Sequence, residues 1–207
     1  MKRLLITALV CLFTLGATST AKAVVLGPDG FAWTVGNAPT DWGTLITSIN
    51  LPIDYDNILG EVTQGVFLND VGYLFAYQFE NYNEGSINAI KRMTATDFTG
   101  FYTDVDAFLS EEESGEILPL WLDRSTAGDS VGFQFFGPGG TAVGPGSTSA
   151  ILWIQTNAKL YAAGTAHFIN GGTEDIRLYG PAVPEPTSML LFGMGVLGLI
   201  GLGRKKA

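Results

Sequence analysis

The chain has 207 residues, 46% hydrophobic and only 15% charged, with a formal net charge of −9. A single cysteine, Cys11, and a single histidine, His167, exclude a disulfide framework and the Cys/His clusters that hold zinc, haem or iron–sulfur groups. Between residues 24 and 182 five cations, Lys91, Arg92, Arg124, Lys159 and Arg177, stand against nineteen acids, a formal −14, which argues against nucleic acid as a partner.

The N-terminus reads as an export signal. Lys2 and Arg3 form a basic start, Leu4–Leu15 an apolar stretch, and Ala21-Lys22-Ala23 an A-x-A site for signal peptidase. The apolar stretch of 12 residues reaches about 18 Å as a helix, short of a hydrocarbon core of about 30 Å. It therefore suits a cleaved signal helix over residues 1–23 rather than an anchor. Cys11 does not make a lipoprotein signal, because Val10 stands where Gly, Ala or Ser is required. It leaves with the signal, so the exported chain has no thiol and must be stabilised by packing.

Residues 24–182 are long enough for one domain with a substantial core, and no helical period runs longer than a turn or two. Leu45, Thr47, Ile49 and Leu51 alternate, as do Val62, Gln64, Val66 and Leu68. The clearest strand places Tyr73, Phe75, Tyr77 and Phe79 on one face and Leu74, Ala76, Gln78 and Glu80 on the other. The segments 131–136 and 149–156 are apolar on both faces, which predicts central strands, and 160–169 and 176–179 complete the set. Turns are predicted at Asn69-Asp70, Asn83-Glu84-Gly85, 137–140, 144–146 and Asn170-Gly171-Gly172. Short strands so spaced predict an all-β fold, a single antiparallel β-sandwich.

Constellations that could carry chemistry are few. Gly128-Asp129-Ser130 resembles the nucleophile motif of GDSL-type esterases, but His167 does not follow an Asp by three residues as that family's partner His does. A turn is the better account. Asp54/Asp56 and Asp104/Asp106 pair carboxylates that could face a hard cation, yet Asp54-Tyr55-Asp56-Asn57 lacks the glycine and terminal glutamate of a calcium loop. Glu111-Glu112-Glu113 with Glu116 reads as a solvated loop. Of the tryptophans, Trp153 lies in an apolar strand and belongs to the core. Trp33, Trp42 and Trp121 are candidates to stack on sugar rings if exposed, but ring size argues for burial of Trp33 and Trp42. No catalytic residue, metal site or cofactor is expected.

The C-terminus has three parts in order: Val183-Pro184-Glu185-Pro186, the apolar run Met189–Leu202, and Arg204-Lys205-Lys206. Residues 187–203 span about 25 Å as a helix, close to the lower limit for crossing a bilayer, and the cations behind them resist translocation, leaving the body outside. Five glycines weaken this transmembrane helix, and no two sit four apart as a dimerising motif requires.

The tail, residues 183–207, resembles the PEP-CTERM sorting signal through Pro184, Glu185 and Pro186, the helix and the basic end. That resemblance implies an exported protein of a Gram-negative bacterium, held in the inner membrane in transit and processed by an exosortase. It further implies delivery to the cell surface, outer envelope or extracellular matrix, with exopolysaccharide as the expected partner. The body resembles a recurrent exported module through Tyr77–Asn81, Gly100–Val105, Asp123–Ser125 with Gly132-Phe133, Thr156-Asn157-Ala158 and Gly171-Gly172-Thr173, which implies a shared fold and no particular activity. The alternative expectation is a secreted carbohydrate- or calcium-binding module.

Overall fold

The computed structural model describes residues 24–110 and 115–182. The N-terminal signal, the Glu111–Glu113 run and the sorting tail lie outside the described residues. Within them the chain is all-β: β1 (Val24–Val25), β2 (Phe31–Trp33), β3 (Thr44–Tyr55), β4 (Ile58–Leu68), β5 (Tyr73–Asn81), β6 (Arg92–Ala95), β7 (Thr103–Phe108), β8 (Trp121–Arg124), β9 (Val131–Gln134), β10 (Ser147–Thr148), β11 (Ile151–Thr156), β12 (Tyr161–Ile169) and β13 (Thr173–Pro181). No helix among the described residues is long and apolar enough to cross a membrane.

Two sheets pack face to face. One runs β1-β7-β11-β5-β4-β3, with β10 also on β5, and the other runs β13-β12-β6-β9-β8-β2. The described strand pairs are antiparallel. The two-residue alternation seen in the sequence fills the space between them. Phe75, Tyr77 and Phe79 of β5 meet Phe98, Phe135 and Phe168 from the opposite side, with Phe79 edge-on to Phe135 at 5.5 Å and to Phe168 at 5.2 Å. β11 is buried along its whole length, as an apolar strand with neighbours on both faces must be.

Two features depart from simple alternation. A bulge between Leu45 and Thr47 shifts the register of β3 on β4. Leu45 therefore packs outside the sheet with Trp42 and Phe67, while Ile49 and Leu51 pack inside. The outer face of the first sheet also carries a second apolar cluster, Phe67, Leu74, Ala76, Ile151 and Trp153. It is roofed by the segment 34–43, which is tied down where Trp153 Nε1 donates to Asn37 O at 2.8 Å. The predicted turns are present, and one more joins β3 to β4: Asp56 and Asn57, at φ 46° and 57°, make a two-residue hairpin with both central residues left-handed.

Polar side chains bridge the interior at both edges. Gln64 points inward from β4, donating to Tyr179 O at 2.7 Å and accepting from Tyr179 N at 2.7 Å, so one amide joins β4 to β13 of the other sheet. It also bonds the buried Tyr77 phenol, whose pKa is pushed up by desolvation and only partly pulled back by Gln64. At the opposite edge the Arg124 guanidinium, 5% exposed, donates to Phe98 O (2.7 Å), Phe101 O (2.9 Å), Gly128 O (2.8 Å), Leu26 O (3.0 Å) and Thr103 Oγ1 (3.1 Å). Those acceptors sit on the crossing from β1 to β2, the crossing from β6 into the first residue of β7, and the β8–β9 hairpin.

Arg124→Met would strand several buried carbonyls at once and should cost about 3 kcal/mol or more. The exposed Arg177→Met should stay within about 0.5 kcal/mol. Urea unfolding midpoints of the two variants would check the contrast.

Candidate functional site

The predicted sorting residues Pro184, Glu185 and Pro186, the cleavage residues Ala21 and Ala23, and the membrane stop Arg204, Lys205 and Lys206 all lie outside the described residues. The candidate positions in the body can be placed individually.

The Gly128-Asp129-Ser130 stretch is a turn. Gly128 N donates to Ser125 O at 2.8 Å, Ser125 N to Ser130 O at 3.0 Å, and Gly128 adopts φ 71°. The Ser125 hydroxyl binds the Asp129 carboxylate and receives the amides of Asp129 and Ser130, each at 3.1 Å. The Ser125 hydroxyl holds the Asp129 carboxyl below its usual pKa. His167 lies on the outer face of β12 with Nδ1 2.5 Å from Asp175 Oδ1 of β13. The two members of the esterase-like pattern are thus each engaged in local bonds of their own.

The acid pairs separate in the same way. Asp56 heads the hairpin turn, where its carbonyl accepts from Asn88 Nδ2 at 2.6 Å and its carboxylate from Asn170 Nδ2 at 3.3 Å. Asp54 is exposed on β3. Asp106 is fully buried, and its carboxylate accepts the backbone amides of Val35 (3.2 Å), Gly36 (3.3 Å) and Asn37 (3.2 Å). It anchors the covering segment to β7, a structural role that the pairing with Asp104 did not reveal.

Asp104, on the same strand face, borders an open cleft of about 500 Å³ lined also by Asp41, Asn69, Trp153 and Gln155. Asn69 Nδ2 donates to Gln155 Oε1 at 2.6 Å and to Asp41 O at 2.8 Å. Asp104 Oδ1 is buried without a hydrogen-bond partner among the described residues. Burial, reinforced by the charge of Asp106 and only partly offset by the Val105 amide, raises the Asp104 pKa. Among the described residues no three His, Cys, Asp or Glu side chains gather as a metal site would need.

The tryptophans divide sharply. Trp153 is buried at 2% exposure, as its apolar strand predicts. Trp42 is half-buried against Phe67 and Phe108, at 5.1 and 5.9 Å between centroids. Trp33 departs from the expectation of burial. It is 60% exposed, on a three-residue strand at the edge of its sheet. With Phe31, 55% exposed, and half-buried Trp121 it forms a ring cluster with centroids 5.6 to 6.1 Å apart.

Comparison with known proteins bears on the tail. Residues 182–206 match the PEP-CTERM protein-sorting motif, one residue earlier at each end than the boundaries expected from the sequence. The protein therefore carries a PEP-CTERM sorting signal, which marks it as exported through the cell envelope and targeted by an exosortase. No curated protein and no solved structure matches the chain.

Because the folded pKa of Asp104 is raised, the folded state prefers the protonated form. Its contribution to stability is full below the unfolded carboxyl value and is lost as pH rises through the folded value. Asp104→Asn should accordingly raise the melting temperature at pH 7, with the gain vanishing toward pH ~4. Melting curves across that range would check the sign.

Proposed function

We propose that the protein is a non-catalytic component of the cell surface or extracellular matrix of a Gram-negative bacterium, associated with exopolysaccharide. In this reading residues 1–23 are removed by signal peptidase. The body of residues 24–182 crosses the inner membrane, and residues 187–203 hold it there until an exosortase acts at Pro184-Glu185-Pro186. The match of residues 182–206 to the sorting motif carries this reading. Physical chemistry supports the order of events. Residues 187–203 would reach only about 25 Å if helical, barely a bilayer core, and such a segment followed by Arg204, Lys205 and Lys206 suits temporary retention better than permanent anchoring.

The absence of a catalytic role is supported by how the chemically suggestive side chains are used. Ser125, Asp129 and Ser130 bond within one turn, and His167 is bonded to Asp175. The acidic body suits an exported protein that must stay soluble outside the cell. Against the calcium branch of the alternative, a secreted binding module, stands the use of Asp56 and Asp106 as turn and loop anchors. Its carbohydrate branch is favoured by the exposure of Phe31 and Trp33.

Mass spectrometry of the mature protein from its own host should find an N-terminus at Val24 and a C-terminus near Pro184–Pro186. Peptides covering Gly193 to Lys206 on the exported species would refute the processing step. Neutralising Arg204, Lys205 and Lys206 together should leave that tail uncut and reduce the amount of protein at the surface.

A further inference from the structure

The outer face of the six-stranded sheet carries a group of side chains that neither the sorting signal nor the sandwich interior uses. β2 sends Phe31 and Trp33 outward, while Ala32 between them packs on the core. The core takes only the alanine from this short strand. Its two flanking rings stay more than half exposed and present apolar surface to solvent.

The register extends the rings into rows across four strands. One row runs Trp33, Trp121, Gln134, Arg92. The other runs Phe31, Asp123, Gly132, Thr94. At about 4.8 Å between strands they extend about 14 Å. Beyond the rings, the Arg92 guanidinium meets the Asp123 carboxylate through two bonds, each 2.6 Å. Gly132 makes room for this pair: a Cβ there would lie 1.9 Å from Arg92 Nη2. Arg92 and Asp123 remain about a quarter exposed, at 24% and 26%, so a ligand lying on the face reaches them directly.

Ring faces favour a flat partner rich in C–H groups, and planar carboxylate, guanidinium and amide groups favour hydroxyls. Sugar rings offer both. The ion pair is neutral as a unit, so nothing selects for a charged ligand, and the acidic body repels polyanions. A second copy of the chain would bring the same acidic body and would have to strip water from a partly exposed ion pair. A polyol replaces that water with hydroxyls. We propose that this face binds an uncharged polysaccharide, with Trp33 and Phe31 stacking on sugar rings and Asp123, Arg92 and Gln134 bonding their hydroxyls. The proposal rests on the surface-export reading for where the polymer is met, and on the side chains alone for how it is held.

The test is affinity electrophoresis and tryptophan fluorescence of the mature protein purified from its host, with whatever termini it carries. The probes are dextran, hydroxyethylcellulose, galactomannan, the host's own extracted polysaccharide and, as an anionic control, alginate. At least one neutral polymer should retard the protein and shift its fluorescence to the blue, with no comparable effect of alginate. Trp33→Ala should weaken that binding about tenfold or more. Gly132→Ala, which displaces the Arg92 guanidinium while leaving the rings in place, should weaken it in a protein that still melts cooperatively. No response to any neutral polymer, binding that survives both substitutions, or retardation by alginate alone would overturn the proposal. If binding fails while the mature termini are as expected, this inference fails and the sorting reading stands. Intact binding on a chain with other termini would uphold the binding face and defeat the sorting reading.

Discussion

A buried guanidinium with no carboxylate partner among the described residues is costly unless its N–H groups find other acceptors, and the edge of this sandwich is arranged around meeting that demand for Arg124. Its acceptors are carbonyls from Leu26, Phe98, Phe101 and Gly128 and the Thr103 hydroxyl. Two of these segments carry the chain from one sheet to the other, before β2 and between β6 and β7, and the third is the hairpin between β8 and β9. One side chain thus fixes how the two sheets are connected at this edge, and its burial lowers the guanidinium pKa without releasing its proton. Gln64 performs a neutral version of the same task at the far edge, where a single amide satisfies both backbone groups of Tyr179.

Strand alternation lets neighbouring residues do unrelated work. In β8, Leu122 and Arg124 face inward, while Trp121 and Asp123 face outward to Trp33 and Arg92. The tripeptide Asp123-Arg124-Ser125 therefore holds an outer-face ion pair, the interior clamp and the first residue of the following turn. The second and third positions are used by the fold itself. Ser125 is tied to the turn through Asp129 and Ser130.

The parts legible in the sequence are those set by local period and turn chemistry. Tyr73 to Phe79 could be assigned to the core because two-residue alternation leaves no other face for four aromatic rings, and 151–156 because an apolar strand needs cover on both sides. Leu45 was misleading for a physical reason: a one-residue bulge moves a side chain to the other face, and nothing in Leu45–Leu51 signals it. Asp56-Asn57 reads as an acid beside an amide, and only the left-handed φ of both residues makes it a tight hairpin. At the candidate sites, composition revealed the tail because export signals are read as linear strings. The exposure of Trp33 and the burial of Arg124 and Asp106 depend on which strand lies at an edge and which segment folds over which sheet, facts of tertiary arrangement.

The two outer faces of the sandwich are consequently unlike. The segment 34–43, anchored by Asp106 and Trp153, roofs the face of the first sheet and buries Phe67, Leu74 and Ile151 beneath it. That segment begins immediately after β2, whose rings stay more than half exposed among the described residues on the other sheet. The chain thus covers aromatic and aliphatic side chains on one face and, within a few residues, leaves Phe31 and Trp33 bare on the other. Had the rings served only to stabilise the fold, the same hydrophobic pressure that draws Trp42 onto Phe67 would favour covering them as well. Their exposure beside a neutralised ion pair, on a body too acidic to welcome anions, is the arrangement expected of a surface kept open for an uncharged partner.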